Sequence, residues 1–481
     1  MRNEALGMRR CGRYFFKILY FKIRALWNNV ISNASFLISH SSLKKVIAMT
    51  LLTQGLTMAA SLNEITIKGT KVPLVYEEGK YIPIVSIQFV FKNAGHLSNT
   101  IDGLADMSAK LLNEGTAKEG SIGFATKLDA KAIDIHTSVG RESLVLEVSA
   151  LKSEFPYAID RLVELLQDPN YSKEALTQIK HQKIGWLKQK ESDFDHIAAS
   201  ALRKMLFKGS SLARSYDGTL ESIKKLTLED IKTFIATHLG YNNVIAVVGG
   251  DISAKEAEDY VSKILTLLPK VETKEIEQVS VSNKKEIELI DEETQQAYIF
   301  FGAPFNYPYK EKDQYKAKIA EYLLGGAGFG SRMMEEIRVK RGLTYGVYAS
   351  LRRTKSASYM SGYLQTKLST QDEAKALIQS VVDDFVKNGI TQKELDDTKK
   401  FLLGSEPLRT ERLSQRLGRS YSDFYYERPL DFAKEQLTKI ESVSLAEMNT
   451  FIKSHMELRD ISFSIVTKRE AVIKKENNTT K

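Results

Sequence analysis

The chain has 481 residues, 43% of them hydrophobic and 27% charged, with 28 glycines and nine prolines. This is an ordinary globular composition, long enough for two or more domains and without a low-complexity signal. The net charge of +9 is concentrated: nine Lys/Arg and one acid within residues 1–60 supply +8, so overall charge gives no reason to expect a nucleic-acid-binding face on the remainder.

Residues 1–60 read as a leader. Lys44 and Lys45 precede a short apolar run, Val46 onward, that ends in Met58-Ala59-Ala60. A charged segment, an apolar run and small residues are the parts of a secretory signal. The run is too short and too interrupted for a confident membrane span. Export with a mature N-terminus near Ser61, most simply to the periplasm, is therefore expected. The alternative is a retained anchor, in which Phe15, Phe16, Ile18, Leu19, Tyr20 and Phe21 give peripheral membrane attachment. Residues 1–42 are expected to be an upstream extension from a misassigned start, since a signal beginning near Leu43 would be conventional, unless they are that anchor. The single cysteine, Cys11, lies in this leader, so residues 61–481 can form no disulfide, thiolate metal site or cysteine nucleophile.

Beyond the leader the chain repeats itself. Residues 61–270 and 285–470 read as two related domains, joined by a polar linker, 271–284, and followed by a polar tail, 471–481. Leu228, Thr233, Phe234, Ile235 and His238 recur as Leu445, Thr450, Phe451, Ile452 and His455, each 217 residues on. A β-like run follows each segment, from Asn243 and from Ile461. Ala158 to Leu187 similarly matches Ala376 to Leu403, two long amphipathic stretches broken near the middle. A shared offset over several elements points to duplication. Val85–Phe91 and Ala297–Phe301 read as strands, and Leu104–Leu112 and Lys318–Leu324 as the helices after them. His238 and His455 read as structural residues at helix ends, with nothing acidic beside either.

Leu323 to Tyr348 organises the second half. Gly325, Gly326, Gly328 and Gly330 fall within six positions. A helix follows over Ser331–Lys340, with Arg338, Lys340 and Arg341 in and beyond its last turn and Gly342 as its stop. A β-rich run, Leu343–Leu351, comes next, which puts Tyr345 just inside a strand. On spacing alone this is a glycine-rich loop and a normally capped helix. The phosphate-loop pattern fails, because Ser331-Arg332 follows Gly330, and so does the dinucleotide fingerprint, because the glycines alternate.

The run GGAGFGSRMMEEIRVKRGLTYGVYA nevertheless resembles the C-terminal-half signature of the pitrilysin/insulinase-type zinc peptidases, which include mitochondrial processing peptidase and bacterial processing proteases. The resemblance implies an α+β fold of two homologous domains, each a mostly antiparallel sheet with helices on one face. It also implies that Arg338 and Tyr345 hold the substrate backbone. Zinc-bearing members carry H-x-x-E-H on a helix of the first half and a later Glu. Here the flanks Gly103 and Gly115-Thr116 remain, while the motif positions fall on Asp106, Ala109 and Lys110. Asp106 offers one oxygen, Ala109 no base, and Lys110 a cation with a reference pKa of about 10.4. Ala175–Lys190, where the distal Glu is expected, contains no acid, and none of the seven histidines has metal-ligand spacing. Asp106 and Lys110 read instead as an i,i+4 pair worth about 0.3–0.5 kcal/mol.

Zinc motif lost and Arg/Tyr half kept, the chain resembles the zinc-less subunits of two-chain bacterial peptidases. It is expected to bind no metal or other cofactor itself, to be inactive alone, and to hold a peptide or unfolded protein for a homologous, zinc-bearing partner. A structural or assembly subunit, or a peptide-binding module without a peptidase, is the alternative.

Overall fold

The computed structural model describes residues 60–429 and 431–468; the leader readings and the tail, 471–481, lie outside them. The first half runs β1 (Ser61–Ile67), β2 (Thr70–Glu78), β3 (Ile84–Lys92), α1 (Leu104–Leu112), α2 (Gly120–Asp129), β4 (Asp134–Val139) and β5 (Ser143–Leu151). Helices α3 (Phe155–Gln167), α4 (Lys173–Lys190), α5 (Phe194–Leu206), α6 (Leu220–Lys225) and α7 (Leu228–His238) follow, then β6 (Val244–Gly250) and α8 (Ala254–Leu265). The second half runs β7 (Ile287–Asp291), β8 (Gln296–Pro304), α9 (Gln314–Glu321), β9 (Val347–Arg353) and β10 (Ser358–Lys367). It continues with α10 (Gln371–Asn388), α11 (Gln392–Gly404), α12 (Leu413–Tyr425), α13 (Phe432–Ser442), α14 (Leu445–Ser454) and β11 (Ser462–Thr467).

The two sheets have one topology. Their orders are β1-β2-β6-β3-β5-β4 and β7-β11-β8-β10-β9, so the second repeats the first without its outermost strand. In each sheet one pair is parallel, β2·β6 and β7·β11, and the rest are antiparallel. Strand periodicity sets the cores. Val85, Ile87, Phe89 and Phe91 of β3 face the first half's own helices, and Ile299, Phe301 and Ala303 of β8 face the second half's.

The opposite faces are not left to solvent, as helices on one face alone would leave them. Every residue of β6 and β11 is buried, as in strands covered on both sides. Each half lends the other a helix. α5 lies on β8 and β11 of the second sheet, and α12 lies on β2 and β6 of the first. Leu417 and Tyr425 of α12 join Val75, Val90, Ile245 and Val247; Leu202 and Leu206 of α5 join Ala357 and Tyr359. The fit is close enough to require glycine beneath each helix. A Cβ on Gly249 would stand 2.2 Å from Leu417 Cδ1, and one on Gly302 would stand 2.7 Å from Leu206 Cδ1.

Buried polar contacts fix the same junction. Glu142, in the first half, accepts hydrogen bonds from the Ser356 amide (2.9 Å), the Ser356 hydroxyl (2.7 Å) and the Tyr425 hydroxyl (2.8 Å). Arg416 Nε lies 2.6 Å from Oε1 of buried Glu77. Burial pushes the Glu77 carboxyl up, against the pull of Arg416. The connecting stretch is mostly exposed, yet Val279 and Val281 tuck against the α5 cluster. Leu206→Ala should therefore cost about 2–5 kcal/mol, the range for a buried Leu, although several of its partners belong to the other half. A shift in the urea midpoint within error of wild type would show that the junction contributes little to stability.

Candidate functional site

The glycine-rich stretch shapes the approach to edge strand β9. α9 runs on into a π-helical turn, Tyr322–Gly326, and a second π-helical segment spans Met334–Val339 in place of the regular helix expected there. Such wide turns are frequent at functional sites. Met334 and Ile337 anchor the second segment in the core, and Arg338 stands half-buried beside them. The amide of Gly342 donates to the Arg338 carbonyl at 2.8 Å, and Gly342 itself has φ +64°, the left-handed stop. Tyr345 lies two residues before β9, not inside it, and is 90% exposed. Its hydroxyl has no partner among the described residues.

Arg338 differs from its neighbours in its partners. Arg332 is held by Glu394 and Asp384, while Lys340 and Arg341 both pair with Glu336. Arg338 has no carboxylate among the described residues; its guanidinium carbon sits 4.5 Å from the ring centroid of Phe329, itself 66% exposed. A cation stacked on an aromatic face keeps its orientation with its N–H fork unspent. An aromatic row continues from β9 across the sheet, Tyr348 on Tyr363 and Tyr363 on Phe300, with centroids 5.6 Å apart at each step.

Arg332 braces this segment. Its Nε and Nη2 reach Glu394 Oε1 and Oε2 at 2.6 and 2.9 Å, and the Thr391 amide donates to Glu394 Oε2 at 2.7 Å. Burial pushes the Glu394 carboxyl up, but these donors outweigh it and hold it down to about 2. A folded pKa below the unfolded one stabilises fully above the unfolded value near 4.5, and the contribution is lost as pH falls through about 2. Arg332→Gln should then lose up to about 3 kcal/mol at pH 7 and almost nothing at pH 2, measured by urea unfolding at both. Equal losses at the two pH values would remove Glu394 from the explanation.

In the first half, α1 carries the positions of the lost motif. Ala109 is buried, and Lys110 is exposed without an ion pair among the described residues. Asp106 does not pair with Lys110. Its partner is Lys183, on the very helix expected to bring the distal Glu. The Lys183 ammonium lies 2.9 Å from Asp106 Oδ2 and 3.1 Å from Asp217 Oδ1, and 4.3 Å from the Trp186 ring centroid, with the side chain only 5% exposed. His96 stacks on Tyr216 beside this group at 5.3 Å. Burial lowers the His96 pKa; Asp106 and Asp217 pull it up, and Lys183 and Arg141 push it down again. Zinc does not fit this donor set. One motif carboxylate faces a buried ammonium, and among the described residues no three His, Cys, Asp or Glu side chains are arranged to hold a metal.

Sequence reasoning missed Lys183, although an acid-free helix facing Asp106 was the available signal. His455 does stand at a helix end, as the C-cap of α14, but not without an acid beside it. That ring sits 2.8 Å from Glu457 Oε1, which is held below the usual carboxylate range, so an acid does accompany it. His238 instead makes a local contact, Nδ1 to the Phe234 carbonyl at 2.8 Å.

Comparison with known proteins agrees with this geometry. Residues 74–220 match the model of the insulinase family, peptidase family M16, and residues 225–402 match that of the peptidase M16 inactive domain. A relative from Helicobacter pylori, named "Non-peptidase homolog YmxG", is 42% identical over 413 residues, covering 86% of this chain and 95% of its own. A Bacillus subtilis relative named "Uncharacterized zinc protease YmxG" is 21% identical, covering 73% and 85%. The crystal structure of a peptidase M16 inactive domain from Pseudomonas fluorescens superposes with a TM-score of 0.78 at 25% identity, covering 85% and 98%.

Proposed function

Because the chain belongs to the insulinase (peptidase M16) family, we propose that it is the zinc-less subunit of a two-chain peptidase, holding a peptide or unfolded protein for a homologous, zinc-bearing partner. The observation that carries this reading is Arg338, the cation of its basic cluster left without a carboxylate among the described residues. An extended substrate laid along β9 offers carbonyls to that fork and to the Tyr345 hydroxyl. Fixing the backbone in this way converts a loose encounter into an oriented one. The metal chemistry belongs to the partner, since Asp106, Ala109, Lys110 and Lys183 supply neither a ligand set nor a base.

The leader supports export, with the mature chain beginning near Ser61 in the periplasm. A second reading, a non-catalytic assembly or peptide-binding subunit, draws support from the name of the Helicobacter pylori relative. The deciding experiment mixes the purified chain with a zinc-bearing homologue from the same cell. Alone, the chain should bind no stoichiometric zinc and cleave no peptide; together, the two should form a complex whose peptidase activity exceeds that of the zinc chain alone. A complex with no gain in activity would favour the assembly reading. One zinc per isolated chain, lost on mutating Asp106, would overturn the proposal.

A further inference from the structure

A cavity in the C-terminal half does not have Arg338 among its lining residues. It occupies about 270 Å³ between α9, β9, α12 and α13. Its charged pairs are mostly matched internally: Arg419 binds Glu406, and Arg353 lies 3.4 Å from Glu321. Four groups on its wall are not. Lys318 has neither a hydrogen bond nor an ion pair among the described residues, and burial lowers its pKa. Arg428 donates from Nη2 to the Tyr309 carbonyl at 3.1 Å, but its Nε is buried without a partner. Asp423 is 6% exposed and its Oδ2 has no partner; Gln314 is 7% exposed and its Oε1 has none.

Native proteins seldom leave buried polar atoms unpaired, and three around one cavity, beside the unpartnered Lys318 ammonium, call for an occupant. Of the four groups, two are cationic donors and two are acceptors, one of them a carboxylate. A simple oxyanion would satisfy Lys318 and Arg428 but would repel Asp423. A simple cation would do the reverse. We propose that the cavity binds a small zwitterion of the α-amino acid class, its carboxylate taken by Lys318 and Arg428 and its ammonium by Asp423 and Gln314. The rings of Tyr426 and Phe432, whose centroids lie 4.9 and 4.8 Å from the Arg428 guanidinium, fix that donor and leave apolar wall for a small or aliphatic side chain. Burial pushes the Asp423 carboxyl up to about 6, against Arg428 and Arg419, as befits a carboxylate short of a cation.

The test is isothermal titration of the full chain with L-alanine and L-leucine, and with acetate, methylammonium and inorganic phosphate as single-charge probes. At least one amino acid should bind saturably, ten-fold or more tighter than any single-charge probe. Lys318→Met and isosteric Asp423→Asn should each weaken it at least ten-fold, and whichever variant keeps the wild-type cooperative melt serves as the reporter. Lys393→Met, an exposed control, should bind normally. No saturable binding of either amino acid, binding of phosphate or acetate as tight as theirs, or unchanged affinity in a folded Lys318 or Asp423 variant would each overturn the assignment.

Discussion

Arg338→Ala and Tyr345→Phe are each expected to cut turnover of the reconstituted two-chain peptidase by ~10²–10³-fold, with the complex intact. The magnitude is that of removing one donor aimed at developing negative charge, about 2.7–4 kcal/mol in the barrier. Tyr345→Phe removes a single hydroxyl from a side chain that is 90% exposed, so the fold should not register it. Arg338→Ala removes a fork that no carboxylate among the described residues shares, so no buried charge is stranded by the change. The control is Arg341→Ala. Arg341 lies three residues away, but Glu336 holds it at 2.9 Å and its Nη1 also donates to the Glu336 carbonyl at 2.8 Å. It should change turnover far less. The measurement is peptidase rate together with the mass of the complex for each variant. Full activity in both Arg338→Ala and Tyr345→Phe, with association unchanged, would leave the assembly reading standing.

Lys183→Met should be among the most destabilising single changes in the first half. It strands Asp106 and Asp217 around a position that is now apolar. Breaking a buried ion pair from one side costs about 3–5 kcal/mol. The lower end is expected here, because the Asp217 side chain is 39% exposed and Asp106 24%, so water relieves part of the repulsion. The double variant Lys183→Met/Asp106→Asn should recover a measurable part of that loss, since the more buried of the two charges then disappears with its partner. Urea unfolding of the three proteins at pH 7 reads both effects. A double variant no more stable than Lys183→Met would mean that packing against Trp186, rather than charge, is what Lys183 provides.

Much of the fold was legible because duplication writes the same pattern twice. The offset between Leu228–His238 and Leu445–His455 implied two like domains, and period-two runs such as Val85–Phe91 located their strands. The exchange of α5 and α12 was not legible. An amphipathic helix records that one face is buried, not against which half. At the site, Arg338 and Tyr345 could be selected by resemblance, but the freedom of Arg338 could not. It depends on where Glu336, Asp384 and Glu394 point, and only the packed structure sets that. Asp106 was misassigned for the same reason: helix spacing offered Lys110 four residues on, while Lys183 reaches it from 77 residues away in sequence. Tyr345 was misplaced by two residues because β-propensity continues through Leu343–Tyr345, while Gly342 and Gly346 delay pairing until Val347.

The lent helices also put a clock on synthesis. By the time Gly250 leaves the ribosome, every strand of the first sheet exists, but α12, which must cover Val75, Val90, Ile245 and Val247, ends only at Tyr425. At about 5–20 residues per second, the nascent chain spends roughly 10–35 s with that apolar sheet face bare. A vectorially emerging first half is thus a ready client for a ribosome-associated or secretion chaperone, and truncation anywhere between α8 and α12 should yield insoluble product however well the first sheet can pair.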